Sequence, residues 1–358
     1  MGDSGTNFAG LDIGGANIKF ASCDGLVKQI QFPFWKNKDG LDAILKELSN
    51  SLSPGTYVGV TMTAELADCF ETKPEGVRFI IESVVRTFAK HQSPLFYRTD
   101  GTMCDAQTAI AQWELVAASN WHATAWLAFS NCQPRQCSHR SGFVFDIGST
   151  TTDIIPVLNG QPVNQKQTDV ERLTNGQLFY AGVGRTPICG LLDFVQFDFG
   201  MASIAKEFFA TTLDAFIWLG DVEENANCLA TADGRAASKE NSGQRLARMV
   251  CADRRDLSNQ QIDSIAIQTK QSLTEKLSKS LQVVLNRNHE LPLVFKTFGG
   301  GAWLAAEVIK SALSEIGNSN VPELVPFSAN ETVNQTAAAL AVAKRCQEHL
   351  IVSGAIDV

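Results

Sequence analysis

The 358-residue chain has no apolar run near the roughly 20 residues that cross a bilayer, so membrane-spanning helices are not expected. The stretch Met1-Gly2-Asp3-Ser4-Gly5-Thr6-Asn7 has neither the basic nor the apolar region of a secretion signal. No Gly-x-Ser-x-Gly elbow and no His-Glu-x-x-His helix occurs, which removes the serine-hydrolase and zincin readings. Low-complexity tracts and short repeats are also missing. Positive charge is in deficit: 30 Lys and Arg face 38 Asp and Glu, a net charge of −8. That balance argues against nucleic acid or an anionic membrane as partner. An anionic substrate would need a local positive site, made by bound metal or backbone N–H groups. The cysteines number nine, odd and scattered, which suits reduced thiols in a cytoplasmic protein better than a disulfide framework. Cys132-x4-Cys137-x-His139 offers three candidate metal ligands beside Pro134 and reads as an inter-domain loop with incidental thiols. The five histidines show no ligand spacing.

What is present is a construction used twice. In Gly10-Leu11-Asp12-Ile13-Gly14-Gly15-Ala16-Asn17-Ile18-Lys19-Phe20-Ala21 an apolar run rises into an aspartate, two glycines turn the chain, and a second apolar run leads away. This is a β-hairpin with polar residues in its bend. It returns at Phe143–Ile155, where Asp146-Ile147-Gly148-Ser149-Thr150-Thr151-Thr152-Asp153 forms the bend. Small residues let backbone N–H groups point at a ligand, and the hydroxyls of Ser149, Thr150 and Thr151 can add bonds to phosphate oxygens. Asp12 and Asp146 at the strand ends suit Mg²⁺ held through waters, or serve simply as turn residues. A third motif, Gly299-Gly300-Gly301, joins a strand to a helix and can face a phosphate or a nucleotide.

Around these motifs the pattern predicts an α/β chain of two RNase H-like domains about a central cleft. The N-terminal domain is expected over 1–135 and the C-terminal one over 136–330, with an insertion over about 169–255. A small-residue helix over about 331–349 is expected at the domain junction. Strands are predicted at Phe8–Ile13, Ile18–Ser22, Leu26–Gln31, Tyr57–Met62, Pro94–Tyr97, Phe143–Ile147, Asp153–Leu158, Pro162–Lys166 and Leu293–Thr297. Helices are predicted at Gly40–Leu52 with Asp39 as cap, Pro74–Lys90 with Val77, Ile80, Ile81, Val84 and Val85 inward, Thr108–Asn120, near Ile204–Phe209, over most of Asp256–Asn288, at Ala302–Leu313 and at Val333–His349. Ala123–Phe129 fits a helix or a strand. Further candidates are Lys19 on the outgoing strand, Arg185 for a phosphate or carboxylate, Asp221 as base or metal ligand, and Glu65 or Asp68 as base. Asp233 reads first as an Asp-Gly turn and Asp105 as a helix cap.

Asp12-Ile13-Gly14-Gly15, Asp146–Asp153 and Gly299–Gly301 resemble, in order, the two phosphate motifs and the adenosine motif of the acetate and sugar kinase/Hsp70/actin superfamily. Within it the chain most resembles the hydantoinase/oxoprolinase group. More narrowly, Gly14-Gly15-Ala16-Asn17-Ile18-Lys19, Tyr180–Pro187 and Thr231–Arg235 resemble a branch associated with tetrahydromethanopterin-linked one-carbon transfer. Hydantoinases usually carry Thr after the paired glycines, where this chain has Ala16-Asn17. The resemblance implies a transferase of methanofuran-type cofactor synthesis. In it an aminomethylfuran bearing a methylene diphosphate is joined to a phenol, and diphosphate leaves. The candidate site residues are then Asp12, Asp146, Arg185 and Asp221 in catalysis, Asp12 and Asp146 on Mg²⁺, and Gly14, Gly15, Asn17, Lys19, Gly148, Ser149, Thr150, Thr151 and Gly299 to Gly301 at the phosphates. An ATP-dependent kinase or hydantoinase-like enzyme, with ATP in the clamp, is one alternative; a nucleotide-sensing or assembly protein is another.

Overall fold

The structure is a computed structural model that describes residues 7–130, 140–163, 167–328 and 330–356. Cys132, Cys137 and His139 lie outside that set. The chain divides into two compact units: residues 1–144, 155–172 and 327–358, and residues 145–154 with 173–326.

The first sheet holds β1 (Phe8–Ile13), β2 (Asn17–Ser22), β3 (Val27–Gln31), β4 (Tyr57–Met62), β5 (Leu95–Tyr97) and β6 (Met103–Cys104). Their order is β3-β2-β1-β4-β5-β6. The first hairpin and β3 are antiparallel, while β1, β4 and β5 run parallel. α1 (Leu41–Asn50) and α2 (Lys73–Thr87) pack against one another. The buried face of α2 is Val77, Ile80, Ile81 and Val84. Val85, at the margin of that stripe, is exposed, contrary to the predicted spacing. Asp39 caps nothing; it sits in a 3-10 turn, and Gly40 stands at the N-cap of α1. The helix predicted over Thr108–Asn120 is broken into α3 (Ala106–Ala111) and α4 (Trp113–Val116), followed by α5 (Asn120–Ser130). The α3 N-cap is Asp105, which accepts from Thr108 N at 2.8 Å. Residues Trp121 to Phe129 of α5 are all buried, so Ala123–Phe129 is helical with no polar face to show its period.

The second sheet is built from β7 (Gly142–Ile147), β8 (Thr152–Leu158), β10 (Leu178–Phe179), β13 (Val294–Phe298) and β14 (Glu323–Pro326), in the order β10-β8-β7-β13-β14, with β9 (Gln161–Pro162) pairing β8. The third strand predicted at Pro162–Lys166 is described only at its start. The stretch over 169–255 is ordered rather than irregular. It contains α6 (Asp169–Thr174), the hairpin β11 (Phe194–Phe197) and β12 (Gly200–Ser203), α7 (Thr212–Leu219) and α8 (Lys239–Arg248). Ile204–Phe209 is not helical; the helix begins at Thr212, where the Thr211/Asp214 capping box satisfies its first amides. α9 (Asn259–Arg287) starts at a Ser258/Gln261 capping box. Its Gln268 side chain pairs with both backbone groups of Gln196, docking the β11–β12 hairpin like an added strand residue. α10 (Ala305–Glu315) follows the triple glycine, and α11 (Glu331–Gln335) leads to α12 (Ala337–Val352).

α12 lies on β1, β2 and β4 of the first sheet and against α5. Its alanines allow this approach, and so do two glycines on the strands. A Cβ at Gly10 would overlap the carbonyl of Ala339, and one at Gly59 that of Val342. Ala338, Ala339, Val342, Ala343 and Cys346 are buried there. The small-residue surface is therefore spent inside the first unit. None of the described helices is long and apolar enough to cross a membrane.

Candidate functional site

The first bend is closed by Gly14 N donating to Asn17 O at 3.0 Å. The carbonyls of Gly15 and Ala16 are taken by Phe34 N and Phe32 N, each at 2.9 Å. Among the described residues no acceptor is found for the amides of Gly15 and Ala16, and the space in front of Gly15 is open. Asp12, 2 % exposed, faces Lys19 across the hairpin, with Lys19 Nζ 3.3 Å from Oδ2. Asp12 Oδ1 is buried without a hydrogen-bond partner. So Lys19 is engaged by the carboxylate at the strand end. The remaining oxygen is available to a cation or its water shell, which is the donor chemistry Mg²⁺ takes. No cluster of three or more His, Cys, Asp or Glu suited to a metal occurs among the described residues.

The second bend repeats the closure: Gly148 N donates to Thr151 O at 2.9 Å. Here the carbonyls are held by the glycine-rich loop that the sequence singled out. Val183 N binds Gly148 O at 3.0 Å, and Gly184 N and Arg185 N bind Ser149 O at 3.0 and 2.8 Å. The amides of Ser149 and Thr150 are left without a protein acceptor among the described residues, beside the half-buried hydroxyls of Ser149, Thr150 and Thr151. The triple glycine joins this bend. Gly301 N donates to Ile147 O at 2.8 Å, and a Cβ on Gly299 would fall 2.5 Å from Asp146 Oδ1. Gly299 has φ +81°, which also favours glycine. Two of the three motifs therefore meet within the second unit, and the first bend belongs to the first unit.

Behind the glycine-rich loop stands a buried ionic network. Thr212 Oγ1 donates to Gly182 O at 2.8 Å, and Thr212 N to Thr186 O at 2.9 Å, so the N-terminus of α7 holds the loop from behind. The same helix turn carries Asp214, which accepts from Arg245 Nε at 2.7 Å and Ser242 Oγ at 3.1 Å. Arg245, fully buried, reaches on to Asp233 at 3.0 Å, and Asp233 also binds Arg235 through its Nε and its amide. Burial alone would raise the Asp233 carboxyl, but the Arg235 bonds and the Arg245 charge hold it down to about 2. Asp233 is thus a turn residue and an ion-pair partner at once. Arg245 and Asp214 were not singled out by the sequence. No local signal marks them, because the burial of Ser242, Arg245 and Leu246 in an otherwise polar helix is visible only in the fold.

Arg185 is exposed, its amide on the second bend. Asp221 follows the α7 C-cap Gly220 and is paired with Lys270 of α9 at 3.0 Å. Lys270 lies over the Trp303 ring at 5.0 Å, two residues past the triple glycine. Asp221 is therefore engaged in an ion pair.

Of the two candidate bases, Asp68 is exposed and Glu65 is 1 % exposed. Glu65 sits in the 3-10 turn after β4, and neither carboxyl oxygen has a hydrogen-bond partner. Burial lifts it to about 8; the nearby Asp169 adds to this, while Lys73 and the amides of residues 65 and 118 partly offset it. The folded protein keeps this proton where the unfolded chain releases it. Stability should therefore fall as pH rises from the ordinary carboxyl value to about 8. Relative to Glu65→Gln, the wild type should lose about 1.4 kcal/mol per pH unit in that window. Urea denaturation at pH 5, 6.5 and 8 measures it; parallel curves for the two proteins would refute the assignment.

A sequence model of the family described as hydantoinase/oxoprolinase matches residues 56–345. The chain belongs to the hydantoinase/oxoprolinase family. It is 32 % identical over 345 residues, 95 % of this chain and 98 % of the relative, to the (4-{4-[2-(gamma-L-glutamylamino)ethyl]phenoxymethyl}furan-2-yl)methanamine synthase of Methanocaldococcus jannaschii. The synthase of the same name from Methanococcus vannielii is 34 % identical over 175 residues, 49 % of this chain and 76 % of that one. Among solved structures, the activator of the 2-hydroxyisocaproyl-CoA dehydratase from Clostridium difficile aligns with a TM-score of 0.44 at 13 % identity, over 99 % of both chains.

Proposed function

We propose that this protein is a transferase that forms an aryl ether, joining the methylene carbon of an aminomethylfuran methylene diphosphate to a phenolic oxygen and releasing diphosphate. The observation that carries this reading is the match along 95 % of the chain to a synthase whose product name contains a phenoxymethylfuran. The two bends suit it physically. As the C–O bond to the leaving group breaks, negative charge grows on the diphosphate oxygens. Within the second unit the amides of Ser149 and Thr150, with the hydroxyls of Ser149, Thr150 and Thr151, and within the first unit the amides of Gly15 and Ala16, are donors fixed in advance of the kind that charge needs. Such donors need no rearrangement as the reaction proceeds. Gly14, Asn17, Gly148 and Gly299 to Gly301 shape the bends that present them. Arg185, beside Ser149, is suited to a phosphate or a substrate carboxylate. Asp12 in the first unit and Asp146 in the second are each suited to hold Mg²⁺, which would supply charge neutralisation to a bound diphosphate.

The test is diphosphate release from the furan diphosphate with a tyramine-type acceptor. No release where the M. jannaschii enzyme turns over would reject the proposal. ATP consumption without the furan would favour a kinase instead. A second measurement isolates the first bend. Since nothing crowds Gly15, Gly15→Ala should leave the melting temperature of the free protein within about 2 °C. It should still weaken Mg²⁺-diphosphate binding about tenfold or more, because a methyl then occupies the anion's approach. Unchanged diphosphate affinity in thermal-shift titration would remove this bend from the site.

A further inference from the structure

We propose that Glu65 is the group that takes the acceptor's phenolic proton, an assignment that rests on the ether-forming reading above. The first support is its place. β4 runs parallel to β1 with Met62 opposite Ile13, and Thr63 N donates to Ile13 O at 2.9 Å. Glu65 therefore emerges at the same carboxyl edge of the sheet as Asp12, the edge at which open α/β sheets bind ligands.

The second support is what Glu65 lacks. Neither oxygen of this buried carboxyl makes a hydrogen bond of ordinary geometry, although the amides of residues 65 and 118 lie toward it, and once ionised it can only accept. Once ionised, such a group is costly to leave unsatisfied, and a donor arriving from outside would relieve that cost. A phenol O–H is such a donor. The third support is strain. Ala118, whose amide lies toward the Glu65 carboxyl, has φ +48° without being glycine.

The turn's backbone is fixed against α2, since a Cβ on Gly76 would lie 2.6 Å from Glu65 O. Thr63 on one side is half-buried and Leu66 on the other is exposed, so the turn that carries Glu65 lies at the margin of the core. The charged groups facing it are Lys73 of α2 and Asp169 of α6. Asp169 is itself paired with Lys73 at 3.7 Å and Arg172 at 3.3 Å.

In the step, the phenolic O–H bond breaks and its proton passes to ionised Glu65. The oxygen lone pair forms the new bond to the furylic methylene carbon. The bond from that carbon to diphosphate breaks, with its electron pair leaving on diphosphate. Glu65 then releases its proton to water. Burial makes this chemistry efficient: a base lifted to about 8 lies closer to a phenol of about 10 than an ordinary carboxylate does.

The experiment compares wild type and Glu65→Gln with tyramine and with 3-nitrotyramine, whose phenol is several units more acidic. The wild-type rate on tyramine should rise through an apparent pKa near 8, and Glu65→Gln should lose that limb together with about 100-fold or more in rate. On 3-nitrotyramine the variant should recover most of its rate, because that phenol ionises unaided. Glu65→Asp should keep the pH limb at a reduced rate. An unchanged melting temperature and Mg²⁺-diphosphate shift would show the variants folded. Equal losses on both phenols, or no loss on either, would overturn the assignment while leaving the ether-forming reading intact. No diphosphate release by the wild type would overturn both.

Discussion

Arg245→Ala should destabilise the second unit by about 3–5 kcal/mol, the cost of leaving a buried charge without its partner. Arg245 is fully buried and serves two carboxylates, Asp214 at 2.7 Å and Asp233 at 3.0 Å. Alanine abandons both and opens a cavity the length of the side chain. In a body of this size the melting temperature should drop by roughly 6–20 °C. The damage should also reach the candidate site, because Asp214 completes the capping box that sets the start of α7, and Thr212 in that turn grips Gly182. Arg235→Ala removes only the half-exposed arm of the network and should cost about 1 kcal/mol or less. Calorimetry on the three proteins decides it; an Arg245→Ala transition within 2 °C of wild type would show that the network carries little stability.

Gly299→Ala should abolish most of the turnover while leaving a folded protein. The residue has φ +81°, where a side chain costs about 1–2 kcal/mol. That strain alone is survivable. The added methyl, however, meets Asp146 Oδ1 at 2.5 Å and overlaps the carbonyl of Ile147. Asp146 or the whole second bend must shift, and a displacement of about 1 Å in a positioned group can cost 100-fold in rate. We expect kcat for diphosphate release to fall by about that factor, with circular dichroism unchanged. Wild-type kcat and KM in a folded Gly299→Ala protein would mean that the triple glycine and Asp146 take no part in the reaction.

How far the sequence could be read depended on the range of the interactions. Both bends were legible because everything that makes them is local: a period of two, an aspartate at the strand end, glycines in the turn. The hairpin partners Asp12 and Lys19 are seven residues apart, so their pairing follows once the register is known. α5 was ambiguous because burial on all sides erases the helical period. The stretch from 169 to 255 looked irregular because its order comes from contacts across long separations. Gln268 docks Gln196 from 72 residues away, and Arg245 finds Asp214 from 31. Glu65 was visible as a candidate only by its place after a strand. That it, and not Asp68, is sealed from water depends on packing against α2, which no local pattern encodes.

The position of α12 sets an order of events during synthesis. β1 and β4 present glycines, Gly10 and Gly59, to a helix made more than 270 residues later. Until the ribosome has released residues 337–352, that face of the first sheet is bare to water and to chaperones. Most of the second unit lies in one stretch, 173–326, and can mature beforehand. The half translated first should thus be the half completed last, because its closing helix α12 is the last element of the chain to be made.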